Sequence, residues 1–257
     1  MPFDFFIERD ITLNKDLYNL VEGKRVAVIG PAPYLLEKGM GALIDDYDIV
    51  VRPNEIIPPR DIRCDYGDRT DILFCNFGTI WMPGIKRKIA LDDHEEYFKK
   101  LKLVVACGIK TVHADTDYLS WPDERVSDLV KNFNEINSYG LPFYWIGVKD
   151  YKILHSKVGV EYNTGIGAIM MLLQYPVREL YVTGFSFYKG GNSYDELYYP
   201  GHTDEHDQQG RPCGFNAGHG ARANQRQLDY FKHMAQTNSD VLRVDSYIDH
   251  LLQLNHP

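Results

Sequence analysis

Seven short apolar runs, spaced along the whole chain and mostly closed by polar or turn-forming residues, constrain this fold more than any other feature. They are "RVAVIG" (25–30), "DIVVR" (48–52), "DILFC" (71–75), "KLVVAC" (102–107), "PFYWIG" (142–147), "ELYVTG" (179–184) and "VLRVDS" (241–246). Runs this short and this continuously apolar read as strands buried on both faces, which is the signature of parallel sheets. Amphipathic stretches lie between several of them. "WPDERVSDLVKNFNEINSYG" places Pro122 near the first helical position, acids in the first turn and Gly140 past the end. Alternating strand and helix predicts a single α/β domain over 1–257, a Rossmann-like sandwich whose mostly parallel central sheet is flanked by helices. In such sheets ligands sit outside the carboxyl ends of the strands.

Composition narrows the function. With 44% hydrophobic and 25% charged residues the chain is an ordinary globular protein, and a net charge of −8 argues against a broad nucleic-acid surface. No nucleic-acid partner is expected, and any anion site must be local. The four cysteines, Cys64, Cys75, Cys107 and Cys213, show no C-x-x-C spacing and read as reduced. The N-terminal "MPFDFFIERDITLNK" lacks a basic-then-apolar leader, and no apolar run reaches about 18 residues, so neither a signal peptide nor a membrane segment is expected. Cytoplasmic localisation is the expectation.

After the first run, "VIGPAPYLLEKGMGALIDDYDIVVRPNE" invites a dinucleotide reading and fails it, because Gly30 leads into Pro-Ala-Pro and the second strand ends in Arg52 and Asn54 rather than an acid. Pro31 and Pro33 also remove two backbone donors. Further on, "YNTGIGAIMMLLQY" sets Asn163, Thr164 and Gly165 before an almost wholly apolar helix pattern. A Thr-Gly helix start offers a hydroxyl, free N–H groups and the positive end of a dipole, either as a simple cap or as a holder of phosphate or carboxylate.

These segments resemble the sialyltransferase family of eukaryotic type. "RVAVIGPAPYLLEKGMGALIDDYDIVVRPNE" is similar to that family's large motif, and "YNTGIGAIMMLLQYPVRELYVTGFSFY" to its small motif. "GHTDE" (201–205) resembles the third motif and "GHGARANQRQLDYF" (218–231) the very short motif, all in the family's order. "GFSFYKGGNSY" is also similar to bacterial sialyltransferases of a separate family that use the same donor. The resemblance implies a GT-A-variant fold. It also implies an inverting, metal-independent transfer of sialic acid, or a related keto-acid sugar, from a CMP-sugar donor to a glycan acceptor. No cofactor or metal is expected beyond the donor substrate. It assigns His219 as the catalytic base and His202 to the departing phosphate.

Four departures stand out. The family's Asn after the first glycine turn is Pro31, its Glu five residues after the catalytic His is Asn224, its motif-linking disulfide has no cysteines here, and no membrane anchor is expected. A soluble relative of bacterial or viral kind would account for the missing disulfide and anchor.

The expected donor or nucleotide contacts are therefore Gly30, Pro31, Arg52, Asn54, Asn76, Asn163, Thr164, Gly165, Gly184, Phe185 and Tyr188. Asn54 and Asn76 stand at strand ends, where an amide offers both donor and acceptor. Arg52 reads either as a phosphate contact or as a structural partner of an acid such as Asp48 or Asp68. Tyr194, Tyr198 and Tyr199 are the expected acceptor contacts, since tyrosine combines a ring face with a hydroxyl. They lie in the long irregular stretch 188–219, which reads as an active-site lid. Two alternatives use other chemistry. A metal-dependent hydrolase would draw on His202, Asp204, His206 and Asp207, and a non-catalytic CMP- or sugar-binding protein would need no base at all. "LDDHEEYFKK" (91–100) reads as a helix start, with Asp92 or Asp93 capping, rather than as a metal-binding acidic pair.

Overall fold

The computed structural model describes residues 11–54, 58, 60–76, 99–108, 140–189 and 220–253. All seven expected strands form: β1 (Arg25–Ile29), β2 (Ile49–Pro53), β3 (Ile72–Asn76), β4 (Leu103–Gly108), β5 (Phe143–Trp145), β6 (Glu179–Thr183) and β7 (Leu242–Val244). They make one sheet in the order β5-β4-β3-β2-β1-β6-β7, and every neighbouring pair is parallel. Strand order runs outward from β1 through β2 to β5 on one side and reverses to β6 and β7 on the other. The reversal between β1 and β6 is a topological switch point, where an open α/β sheet presents a crevice to ligands.

Successive residues of a strand face opposite sides of a sheet, and the two hydrophobic cores divide on that period. Val26 and Val28 of β1, Ile49 and Val51 of β2, and Leu180 and Val182 of β6 enter the larger core. Helices α1 (Lys15–Val21), α4 (Gly147–Val158), α5 (Thr164–Leu172), α6 (Gly220–Thr237) and α7 (Ser246–Leu252) contribute to it through residues such as Leu17, Leu154, Ile169, Phe231 and Ile248. The alternate residues Ala27, Ile29, Val50 and Tyr181 enter a smaller core. There they meet Leu35 of a 3-10 turn (Pro33–Leu35), Ile44 of α2 (Gly41–Asp45) and Tyr66 of α3 (Arg63–Tyr66). Helix α5 is buried along its whole length and lies against β2, β3 and β4. Its nearly continuous apolar sequence is what such a position demands.

Arg52 is the exception in a buried strand. It is wholly buried, and its guanidinium donates to the carbonyls of Tyr66 (2.5 Å), Gly67 (3.3 Å) and Arg69 (3.1 Å) and to Thr70 Oγ1 (3.1 Å). A buried cation survives only where acceptors replace water, and the loop 66–70 supplies them. Of the expected acid partners, Asp68 pairs with Arg63, and Asp48 pairs with Arg178 and accepts the Arg25 N–H. Of the two readings of Arg52, the described hydrogen bonds show the structural one: the side chain fastens the loop between α3 and β3.

Arg52→Met is expected to lower stability by about 3 kcal/mol or more, because it leaves buried carbonyls without a donor. Urea titration measures this. Loss of ligand affinity at unchanged stability would return Arg52 to the binding site.

Candidate functional site

A pocket opens at the switch point, at the carboxyl ends of β1, β2 and β6. Its walls are Pro31 after β1, Pro53 and Asn54 at the end of β2, Asn163 to Ile166 at the start of α5, and Gly184 to Tyr188 after β6. Eight of the expected donor contacts meet here: Pro31, Asn54, Asn163, Thr164, Gly165, Gly184, Phe185 and Tyr188.

The floor is set by two glycines. A Cβ on Gly30 would lie 2.2 Å from the Gly184 carbonyl oxygen, and a Cβ on Gly184 would lie 2.2 Å from the Gly30 carbonyl oxygen. Neither position admits a side chain. Gly184 also has φ +77°, a conformation glycine adopts without cost. Backbone bonds seal the contact: the Gly30 N–H donates to the Thr183 carbonyl and the Ala32 N–H to the Gly184 carbonyl, each at 2.8 Å. Gly30 therefore serves the expected site by close packing, outside the pocket lining. The Ala32 carbonyl accepts from the Tyr66 hydroxyl at 2.8 Å. Because prolines 31 and 33 have no N–H, the turn has used its one amide proton on Gly184, and Pro31 meets the pocket as an apolar surface.

At the mouth of α5 the cap is Asn163 rather than Thr164. Asn163 has extended backbone (φ −76°, ψ 164°), and its side-chain oxygen accepts from the Ile166 N–H at 2.9 Å. The first intrahelical bond runs from the Gly167 N–H to the Asn163 carbonyl, at 3.0 Å. With Ile166 and Gly167 satisfied, the N–H groups of Thr164 and Gly165 are the donors at this helix end. They carry the positive end of the helix dipole into the pocket. Asn163 is itself held: its N–H donates to Oε1 of Gln227, a buried residue of α6, at 2.8 Å. The Phe185 ring rests on Gly165, where a Cβ would approach Cε1 to 2.5 Å. One turn on, Gly167 faces Tyr162 and the Cys107 sulfur, and burial pushes the Cys107 thiol up to about 12. That thiol is a packing group rather than a nucleophile.

The opposite wall is Asn54. Its backbone sits at φ +61°, its N–H donates to the Phe74 carbonyl at 2.5 Å, and its side-chain oxygen is buried without a hydrogen-bond partner among the described residues. An orphaned buried acceptor in a pocket wall suits a ligand that brings a hydroxyl or amine donor. Phe187 (φ +51°) and Tyr188 (φ +61°) share this uncommon backbone region. Left-handed backbone at non-glycine residues is costly, and here it clusters around one pocket. Buried Ser186 accepts the Tyr188 N–H at 3.3 Å, leaving its own hydroxyl proton free to donate.

Behind the β6 turn, half-buried Tyr34 accepts from the N–H groups of Gly184 (2.6 Å) and Phe185 (3.3 Å) and donates to Asp245 (2.6 Å). Burial, then the Asp245 carboxylate, hold its phenol far above the ordinary tyrosine range, so it stays a neutral donor.

Sequence reasoning missed Pro53, Ile166, Ser186 and Phe187 in the lining. Ser186 and Phe187 sit inside the "GFSFY" run already singled out. It also missed Tyr34, Asp245 and Gln227, whose only signal is position. Asn76 ends β3 at a register shift opposite Gly108, and its side chain lies outside the described part. His202, His219, Tyr194, Tyr198, Tyr199 and the 202–207 cluster lie outside the described residues, as do all but the first two residues of the expected lid 188–219 and most of 91–100. Helix α6 begins at Gly220, directly after His219. Among the described residues, no group of three His, Cys, Asp or Glu is placed to hold a metal ion, and no helix is long and apolar enough to cross a membrane.

A parallel α/β sheet with a helix mouth at its switch point has the geometry with which open α/β sheets meet anionic ligands. Residues 12–108, the segment from α1 to β4, match the family model described as glycosyltransferase family 29 (sialyltransferase). Over that segment, less than half of the chain, the sequence is similar to the sialyltransferases. The matched segment contains the large-motif resemblance; the likeness read over 158–232 lies beyond it. Among solved structures, a mammalian sialyltransferase in complex with Gal-beta-1-3GalNAc-ortho-nitrophenol is 16% identical, with 90% of this chain and 77% of that one covered and a TM-score of 0.46. A second mammalian sialyltransferase structure is 15% identical, with 90% and 76% covered and a TM-score of 0.48. No curated protein sequence matches the chain.

Asn163→Ala is expected to cost about 1 kcal/mol of stability, while Asn163→Asp keeps the cap and most of that energy. If Thr164→Ala carries the larger cost in the same urea titrations, the cap has been assigned to the wrong residue.

Proposed function

We propose that the protein transfers sialic acid, or a related keto-acid sugar, from a CMP-activated donor to a glycan hydroxyl, with inversion and without a metal. The observation that carries the reading is one convergence. Pro31 and Asn54 from one motif-like segment, and Asn163 to Gly165 and Gly184 to Tyr188 from another more than a hundred residues away, line a single pocket. Among the described lining residues none is charged. An anionic donor group would be met by the Thr164 and Gly165 N–H groups and the helix dipole, with the orphaned Asn54 oxygen taking a proton donor of the nucleotide.

In the proposed reaction the acceptor hydroxyl oxygen attacks the anomeric carbon from the face opposite CMP. The new glycosidic bond forms as the bond to the phosphate oxygen breaks, and CMP leaves with that electron pair. His219 takes the hydroxyl proton as general base, in the titration range suited to that task. His202 supports the departing phosphate, and Tyr194, Tyr198 and Tyr199 contact the acceptor. Cys64, Cys75 and Cys107 form no disulfide among the described residues, which favours a reducing, cytoplasmic setting.

Calorimetric titration with CMP, CDP, UDP, GDP and NAD in the presence of EDTA tests the donor. Selective CMP binding is expected. His219→Ala should then keep CMP affinity while transfer from CMP-sialic acid falls by about 10²–10⁴. Nucleotide binding that requires a divalent ion would favour the hydrolase alternative. CMP binding with no turnover across acceptors in the unaltered protein would favour a binding protein.

A further inference from the structure

We infer that Tyr34 is a positioning residue for the pocket, holding the β6 turn from behind through the Gly184 and Phe185 amides, with Asp245 and Thr183 as its support. The inference rests on the proposed donor site and adds a residue that does not line the pocket. Three distant segments meet at one phenol oxygen. It accepts from the Gly184 N–H at 2.6 Å and the Phe185 N–H at 3.3 Å, and donates to Asp245 Oδ2 at 2.6 Å. The same carboxylate oxygen accepts the Thr183 hydroxyl at 2.5 Å. The other oxygen of Asp245 caps α7 by accepting the Ile248 N–H at 2.8 Å, so the carboxylate is itself anchored. The Tyr34 ring is stacked on Tyr247, with centroids 3.9 Å apart and planes 15° from parallel.

The direction of each bond is fixed by chemistry. A carboxylate only accepts, so the phenol proton goes to Asp245, and the phenol lone pairs are left for the two amides. Charge-assisted bonds of this kind are shorter and stronger than neutral ones. The consequence reaches the pocket through Phe185. Drawing its N–H back toward Tyr34 holds its ring on Gly165, where the Thr164 and Gly165 amides face the ligand. The Gly184 carbonyl is likewise tied to Ala32, so this glycine shows the pocket no free backbone group. Tyr34 thus fixes the shape of the helix mouth without contacting what binds there.

Tyr34→Phe keeps the stacked ring and removes only the oxygen. Hydrogen exchange read by ¹⁵N NMR on the ligand-free protein should show faster exchange at the Gly184 and Phe185 amides. CMP affinity should weaken, and donor KM rise, by about tenfold, the size of roughly one hydrogen bond, with kcat at saturating donor nearly unchanged. Asp245→Asn, which keeps an oxygen to cap α7, should reproduce both effects, and the double variant should be no worse than either alone. This second variant serves if Tyr34→Phe fails to fold. Faster exchange with unchanged CMP affinity and donor KM would reduce Tyr34 to a structural contact and overturn the inference, leaving the donor site intact. Unchanged exchange would overturn the contact itself. Failure of the unaltered protein to bind CMP would overturn the donor site and this inference together.

Discussion

The contact on which the pocket depends is between two glycines. Gly30 and Gly184 leave β1 and β6 at the point where strand order reverses, and each lies where the other's side chain would have to go. Parallel neighbours diverge at such a point because the segments after them turn to opposite faces, and the crevice that opens between them is a consequence of connectivity. Here the crevice is kept narrow at its base by backbone-to-backbone approach, and its walls come from the turns that leave each strand. The turn after β1 is stiffened by two prolines, and the turn after β6 is bent by left-handed backbone at Gly184, Phe187 and Tyr188. A shape made this way is preorganised, since little of it depends on the free rotation of long side chains.

Preorganisation also suits the proposed anion site of an acidic protein, since no described lining residue is charged. A cation in the pocket would need its own counter-charge or water when no ligand is present. Helix N–H groups need no counter-charge: the geometry of a helix start leaves them without an intrahelical partner, so water or a ligand can take them. Asn163 takes the Ile166 amide and Gln227 takes the amide of Asn163, so the two remaining donors are aimed by a mouth held on both sides. The one cation in the neighbouring strand, Arg52, is turned to the opposite task of closing a loop.

Much of this was legible in the sequence. Buried parallel strands announce themselves as unbroken apolar runs, and all seven formed within a residue or two of their runs. The pocket was legible for the same reason, because strand ends and helix starts carry glycine, proline and asparagine for backbone reasons that a sequence displays. The hidden parts depended on three dimensions. Asn163 and Thr164 are both good caps one residue apart, and only the backbone angles separate them. Arg52 at a strand end reads equally as ligand or brace until the carbonyls of 66–70 are seen around it. Tyr34 and Asp245 are ordinary residues in ordinary segments, more than two hundred positions apart, and no local pattern links them.

The most direct test of the account is amide chemical-shift mapping of the ¹⁵N-labelled protein as CMP is added with EDTA present. The account predicts the largest perturbations at Asn54, Thr164, Gly165, Gly184 and Phe185, with β5 and β7 unmoved. Perturbations centred on the 66–70 loop around Arg52, or no change at the mouth of α5, would contradict it.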